Sequence, residues 1–421
     1  MSNAGSEVLL IEPEPVVGER LRVLTLTSLF PSVARPRHGI FVETRLQHLV
    51  QDCAVDARVI APVPWFPFKS PVFSPYAQYA ATPRRATRDG GLSVTHPRYL
   101  MLPRLGVSFQ PDSMARAVVP DIMALKKFGW CPDIVDAHYF YPDGVAAARV
   151  ADRLKIPFIV TARGSDINVL AQMPGPARRI VWAAERASAV VAVSSRLKEG
   201  LVALGVDERK IVVLRNGVDL ELFRPEDRHA ARRRLGLPDG RLAICVGNLL
   251  PVKGHALAIQ SLPALPGWRL VFAGDGPLRH ELGALARRLG VNDRVIFLST
   301  MPQGELRHLY SAADVMLLPS MREGWPNVVL ESLACGTPVV ATDVGAVTEM
   351  ITRPDVGRIV ATRDATRLAE AVLDLVGTPV NRDQIRLHAC AFDWASISAG
   401  QFEIMKLALG RAPYHRQTSP P

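Results

Sequence analysis

Cysteine is scarce in this sequence, five in 421 residues (Cys53, Cys131, Cys245, Cys335, Cys390), an odd number spread widely with no C-x-x-C pair. That excludes a disulfide framework and a sequence-local zinc site, and suits buried thiols in a reducing compartment. No uninterrupted apolar run reaches the roughly eighteen residues that a bilayer-spanning helix needs. The start of the chain lacks a basic stretch followed by an apolar block and a small-residue cleavage site, so a cytoplasmic protein is expected. There is no Asp-x-Asp pair of the kind that holds a metal–nucleotide complex, and no metal is expected. Aromatic residues make up only 6% and do not interleave with the basic groups, which argues against stacking on single-stranded nucleic acid.

What is present is an apolar fraction of 48% against 21% charged, the balance of a well-packed protein. A length of 421 residues exceeds one ordinary core and points to two domains. Fifty Lys and Arg face forty acids, and the net +10 favours an anionic partner: nucleic acid, an acidic membrane surface or a phosphorylated small molecule. The cations stand in short scattered groups (Arg84-Arg85, Lys126-Lys127, Arg178-Arg179, Arg232-Arg233-Arg234, Arg287-Arg288), read as solvated helix faces rather than a nucleic-acid stripe.

Strand and helix signals alternate twice along the chain. Leu21 to Leu26, Ile134 to Ala137, Phe158 to Thr161 and Ala189 to Val193 read as short buried strands, with helices over Val145–Leu154 and from Ser195 to Leu204. The scheme repeats with strands at Leu242–Val246, Leu270–Ala273, Val295–Leu298, Val315–Leu318 and Val339–Ala341. Helices are predicted near His255–Ser261, Leu278–Leu289, Gly304–Ala312 and Val328–Cys335, the last stopped by Gly336 and Thr337-Pro338. Glu221 to Gly240, polar and rich in Arg, reads as a linker. Pro62 to Tyr79, rich in Pro and aromatics, reads as a loop on the first domain. The fold class is therefore α/β, with two open parallel sheets whose strand carboxyl ends face a shared cleft.

The strongest chemical signal is Glu323-Gly324-Trp325-Pro326-Asn327-Val328-Val329-Leu330-Glu331. Glu323 falls on a loop after a strand, Pro326 suits a first helical turn, and Glu331 lies on that helix. The unpaired N–H groups of Trp325, Asn327 and Val328 would carry the positive end of the helix dipole, fit for phosphate. Two carboxylates so placed can each accept a pair of hydroxyl hydrogens. A second signal is the strand-to-loop stretch Gly247-Asn248-Leu249-Leu250-Pro251-Val252-Lys253-Gly254, where Lys253 can neutralise a diphosphate. Gly274-Asp275-Gly276-Pro277 follows another strand but lacks the spacing of a nicotinamide fingerprint. In the first half, Gly39 sits at a loop-to-helix junction, and His138, Arg163 and Asp166 follow strands where a cleft should be.

Together with Asn216-Gly217-Val218-Asp219, Val344 to Glu349 and Phe392-Asp393-Trp394, these elements resemble, in order from about Arg22 to Trp394, the GT4 family of retaining glycosyltransferases. The resemblance implies the GT-B fold: an acceptor-side domain over 1–222, a nucleotide-sugar domain over 223–395, and a helix over 396–421 returning to the first. It further implies Glu331 on the donor ribose, Glu323 on the sugar hydroxyls, Lys253 and Gly39 on the diphosphate, and His138 beside the anomeric carbon. Asn248, Gly274, Met301, Gly324, Trp325, Asn327 and Val328 would complete the donor site. Arg163, Asp166 and Arg322 are candidates for acceptor or phosphate. The sequence departs from the family at Asn248, where arginine is common and for which Arg322 or Arg215 could substitute, and at Arg163, where histidine is frequent.

The expected activity is metal-free, retaining transfer of a hexose from a nucleotide-diphosphate sugar, used as substrate with no cofactor, to a glycan or lipid-linked glycan. Peripheral contact with an anionic membrane is a further expected partnership. The alternatives are a nucleotide-sugar epimerase or phosphorylase of the same architecture, and a basic nucleic-acid-binding α/β protein.

Overall fold

The computed structural model describes residues 20–410 apart from 74–75, 102–107 and 379–380. The first sheet has eight strands in the order 211–213, 189–192, 158–162, 134–138, 21–26, 55–60, 93–95, 85–87. Its neighbours run parallel except the edge pair Arg85–Thr87 and Ser93–Thr95. Ile134–His138 and Phe158–Ala162 are buried at every residue, as strands covered by helices on both faces must be. The second sheet has six parallel strands in the order 295–298, 268–273, 241–246, 315–318, 339–342, 357–360.

In each sheet the strand order reverses once, between Leu21–Leu26 and Ile134–His138 in the first and between Arg241–Val246 and Val315–Leu318 in the second. Loops leaving such neighbouring strands turn to opposite faces and leave a crevice between them. The two crevices face one another. One apolar cluster runs from the first-domain helices through Val218, Phe223 and Trp325 into the second domain, so the interface is part of the core.

Several elements differ from the sequence reading. The stretch Glu221 to Gly240 is no free linker: it contains the helix Arg228–Leu235, capped by Asp227, packed on the helix Gln303–Ala312. Its Arg232, 4% exposed, donates to Ala312 O (2.9 Å) and to Asp314 Oδ2 (3.0 Å), and so docks the helix on the second domain. A charge that reads as solvent-facing is in this instance buried and paired. The returning helix spans Trp394–Ala408, starting earlier than expected, and packs on Ile40–Asp52; the expected portion beyond 410 lies outside the described residues. The stretch read as a loop over 62–79 holds a two-residue strand, Val63–Pro64, and two short helical segments, Pro71–Phe73 and Ala77–Ala81, the second running past its end, while 74–75 lie outside the described residues. Strands such as Val55–Ile60 and Gly357–Val360 carry little sequence signal, because polar positions interrupt their apolar runs.

Asp314 accepts from Arg228 Nη1 (2.8 Å), Arg232 Nη2 and Leu242 N (2.8 Å), so its removal strands a buried guanidinium and a strand N–H. Asp314→Ala is expected to cost about 3–5 kcal/mol. A measured unfolding free energy within about 1 kcal/mol of wild type would contradict this docking of the 228–235 helix.

Candidate functional site

The second-domain half of the cleft is built from strand ends. After Arg241–Val246 the chain runs through Gly247 and Asn248 to a single helical turn, Pro251–Lys253, and then into the helix His255–Ser261. After the adjacent strand Val315–Leu318 it loops through Glu323 into the helix Asn327–Ala334. Because the two strands are neighbours, the two loops meet. Lys253 Nζ lies 2.8 Å from Glu323 Oε1 and 3.1 Å from Oε2, and Ser320 Oγ donates to Oε1 at 2.6 Å. Glu323 is thus a pinned acceptor for hydroxyl hydrogens, with a long-stemmed cation at its side.

The helix begins at Asn327, with Pro326 as its non-helical cap rather than within its first turn. Glu331 accepts from Tyr310 Oη at 2.7 Å on the groove floor. Burial raises its pKa to about 7, the Tyr310 hydrogen bond pulling the other way. The Trp325 indole N–H is buried with no partner among the described residues, in a residue that lines the cleft. Asn327 Oδ1 accepts from Asn216 Nδ2 of the first domain at 3.3 Å.

The first-domain half is held by buried polar residues. Arg163, 8% exposed, donates through Nη1 to Asn216 Oδ1 (2.9 Å) and through Nη2 to His138 Nδ1 (2.5 Å). Since guanidinium only donates, His138 Nδ1 accepts; its proton is on Nε2, 3.2 Å from Asp136 Oδ2. Burial lowers the His138 pKa to about 4, with Asp136 pulling up and the Arg163 charge pushing further down, so the ring is neutral. On the far side Asp136 Oδ2 accepts from Gln401 Nε2 (2.6 Å), and Gln401 Oε1 accepts from Arg45 Nε (2.5 Å). A residue of the returning helix therefore anchors a chain that ends at the cleft.

A cleft of about 610 Å³ is lined by Asn248, Lys253, Gly274, Met301, Arg322, Glu323, Gly324, Trp325, Asn327, Val328 and Glu331, with Arg163 from the other domain. Three expected members lie elsewhere. His138 is 1% exposed behind Arg163, with both ring nitrogens engaged, because the longer arginine stands between it and the cleft. Asp166 is buried and accepts from the backbone N–H groups of Phe140 (2.8 Å), Arg163 (3.1 Å) and Gly164 (2.7 Å), holding the turn instead of facing a ligand. Gly39, at φ 73°, packs so close to Leu29 that a Cβ would lie 2.2 Å from its carbonyl; its neighbours Arg37, Ile40 and Phe41 line the cleft. Arg215 is bound by Glu349 at 2.9 Å and does not line the cleft, so it is no substitute for charge at Asn248.

The domains touch where side chains are absent. A Cβ on Gly324 would fall 2.2 Å from Arg163 O, and Gly164 stands against the same residue. Sequence reasoning did not select Arg37, Asn168, Ser320 or Tyr310. Asn168 donates to Glu323 O at 3.3 Å, and only the docking of the two domains makes that contact visible. Ser320, three residues before Glu323, was the one with a local signal.

A crevice between two parallel-sheet domains, holding two carboxylates, a lysine and a helix start, defines a GT-B nucleotide-sugar transferase. Residues 74–222 match the model "Glycosyltransferase Family 4" and residues 227–389 the model "Glycosyl transferases group 1". The chain is 33% identical over 406 residues to TuaC of Bacillus subtilis, provisionally named a teichuronic acid biosynthesis glycosyltransferase, covering 94% of this chain and 98% of that one. It is 34% identical over 322 residues to the D-inositol 3-phosphate glycosyltransferase of Acidothermus cellulolyticus, covering 68% of this chain and 69% of the relative. Among solved structures, sucrose-phosphate synthase from Thermosynechococcus elongatus superposes with a TM-score of 0.75 at 19% identity, over 93% of this chain and all of that one (100%). The Anabaena protein HepE in complex with UDP-glucose does so with 0.68 at 21%, over 92% and 100%. The protein belongs to glycosyltransferase family 4. It is a GT-B glycosyltransferase of the hexosyltransferase type, and the epimerase, phosphorylase and nucleic-acid alternatives find no support.

Glu331 supplies a pH test. A carboxyl with a pKa near 7 is half protonated there, and only its ionised form accepts both hydrogens of a ribose diol. If Glu331 takes the donor ribose, as the family resemblance implies, nucleotide-sugar affinity rises from about pH 6 to about pH 8, since the diphosphate diester itself does not titrate there. Glu331→Gln should bind about as wild type does near pH 6, more weakly near pH 8, and show no rise. Titration calorimetry showing a flat wild-type profile would remove Glu331 from the ribose.

Proposed function

We propose that the enzyme transfers a hexose, with retention of anomeric configuration, from a nucleotide-diphosphate sugar to a hydroxyl of a glycan carried on a lipid. The observation that carries this is the Lys253–Glu323 contact at 2.8 Å beside the start of the helix Asn327–Ala334. Glu323 holds the sugar hydroxyls and Glu331 the ribose, while Lys253 and the N–H groups of Asn327 and Val328 take the diphosphate. In the reaction the bond from the anomeric carbon to the phosphate oxygen breaks, its electron pair leaving with the diphosphate. The acceptor oxygen bonds to the same face of that carbon, and its proton passes to the departing phosphate oxygen. The protein's task is to stabilise growing charge on the leaving group, which a fixed cation and helix N–H groups do without reorganisation. Among the described residues no group of three or more His, Cys, Asp and Glu could hold a metal ion. The relatives' names, teichuronic acid biosynthesis and inositol 3-phosphate glycosylation, support a polar or anionic glycan-type acceptor.

The lipid part of the reading rests on an exposed aromatic ledge. Trp65 and Phe68 are each 54% exposed, and the rings of Phe66, Phe68, Phe73 and Tyr76 touch one another. Residues 62–87 carry Lys69, Arg84 and Arg85 and no acid, while the next cation, Arg88, is paired with Glu43. Aromatic rings with cations and without carboxylates suit the headgroup region of an anionic bilayer. No helix among the described residues is long and apolar enough to cross a membrane, so such contact would be peripheral.

Release of nucleotide from UDP-, GDP- and ADP-sugars by the purified protein is expected for one base, undiminished by EDTA. Glu323→Ala is expected to lower that rate on the order of a hundredfold or more with folding intact. Undiminished turnover in the variant, or EDTA loss restored by magnesium, would refute the donor site as drawn. The protein should also co-sediment with phosphatidylglycerol vesicles but not with phosphatidylcholine, and Trp65→Ser with Phe68→Ser should abolish this; equal sedimentation of both proteins would refute the ledge.

A further inference from the structure

Arg163 is a buried cation that forms no ion pair with any described carboxylate, in the wall of a cleft built for an anion. Two of its nitrogens are committed to neutral acceptors, Asn216 Oδ1 and His138 Nδ1, while Nε has no partner among the described residues. Its two nearest acids are already engaged. Asp166 is wrapped by three backbone N–H groups, and Asp136 Oδ2 takes Gln401 and His138. The guanidinium carbon lies 5.4 Å from the Phe41 ring centre, so one face is covered by an apolar wall. In that setting a charge interacts with an anion far more strongly than the exposed Arg37 and Arg322 of the same cleft can through water.

Position agrees with charge. Asn216 links Arg163 directly to Asn327, the first residue of the helix whose start faces the cleft, and the Arg163 carbonyl abuts Gly324. On the opposite loop Asn248 is uncharged, and Lys253 is shared with Glu323. We propose that Arg163 is the cation with which the first domain grips the donor's diphosphate. Asp136, His138 and Gln401 are then positioning residues: Gln401 fixes Asp136, Asp136 fixes the Nε2–H tautomer of His138, and the Nδ1 lone pair orients the guanidinium. Part of the leaving-group charge is thereby met across the cleft, only when the domains are docked, and the returning helix contributes to that docking.

This rests on the nucleotide-sugar reading above, and the test separates the two. Calorimetric affinities of UDP against UMP and GDP against GMP are measured for wild type, Arg163→Ala, Arg163→Lys and Gln401→Leu, with melting temperature as the folding control. Wild type should prefer the diphosphate of its cognate base; equal affinity for mono- and diphosphate would refute the donor reading itself. If Arg163 grips the diphosphate, Arg163→Ala cuts that preference at least about tenfold and leaves monophosphate affinity unchanged. Arg163→Lys restores part of it, keeping the charge but losing the fork. Gln401→Leu lowers the preference by more than its stability loss explains: the melting temperature falls because Arg45 Nε and Asp136 Oδ2 lose a buried partner, and the affinities are compared well below that temperature, where the protein is folded. A folded Arg163→Ala protein that keeps the wild-type preference overturns the proposal, and a Gln401→Leu protein that keeps it overturns the positioning chain.

Discussion

Lys253 and Glu323 are seventy positions apart and meet at 2.8 Å because their strands are neighbours in a parallel sheet at the one place where strand order reverses. That reversal is the constraint on which the rest depends. Loops after adjacent strands elsewhere in the sheet turn to one face and pack on helices; here they part and leave room for a ligand. The carboxylate and ammonium then hold each other at the rim of the crevice. A ligand that offers hydroxyl hydrogens to the one and negative charge to the other suits this pair, and the proposed donor, a sugar joined to a diphosphate, offers both.

The first domain answers with a different device. Its cleft wall is not a flexible lysine on a loop but an arginine fastened at the end of buried side chains, from Arg45 and Gln401 through Asp136 and His138 to Arg163. Buried polar groups are tolerable when their partners are in place, and each member of this chain is held by at least two of its atoms or by a neighbour on either side. Arg45 Nη2, Asp136 Oδ1 and Arg163 Nε are its atoms left without a partner among the described residues, the last of them beside the cleft. Such a network costs desolvation but leaves the guanidinium one orientation. It also explains why the helix Trp394–Ala408 crosses back: Gln401 joins the buried polar chain, and the apolar Ile404 and Met405 complete a core that the first domain otherwise leaves open.

Close approach of the two halves depends on small residues as much as on charged ones. Gly324 and Gly164 let the backbones meet, while Asn216, Asn168 and Glu349 carry polar contacts across. Contacts to one ligand from both sides require a narrow cleft, and the glycines set that width.

Much of this was legible in the residues alone. Period and composition located most of the buried strands and several helices to within a residue or two, though not Val55–Ile60 or Gly357–Val360, because parallel strands covered on both faces must be continuously apolar and helices between them must carry one apolar face. The Glu323-to-Glu331 stretch announced its site because loop, proline and carboxylates stand within one turn-helix unit. What only the tertiary structure decided was partnership between distant positions. Arg232 reads as a solvated charge until Asp314 is folded against it; His138 reads as a cleft residue until Arg163 comes between it and the opening; Gln401 carries no signal at all. Local pattern records which face of an element is apolar, whereas the partner of a buried polar atom is set by elements that are remote along the chain, and no spacing between residues encodes that meeting.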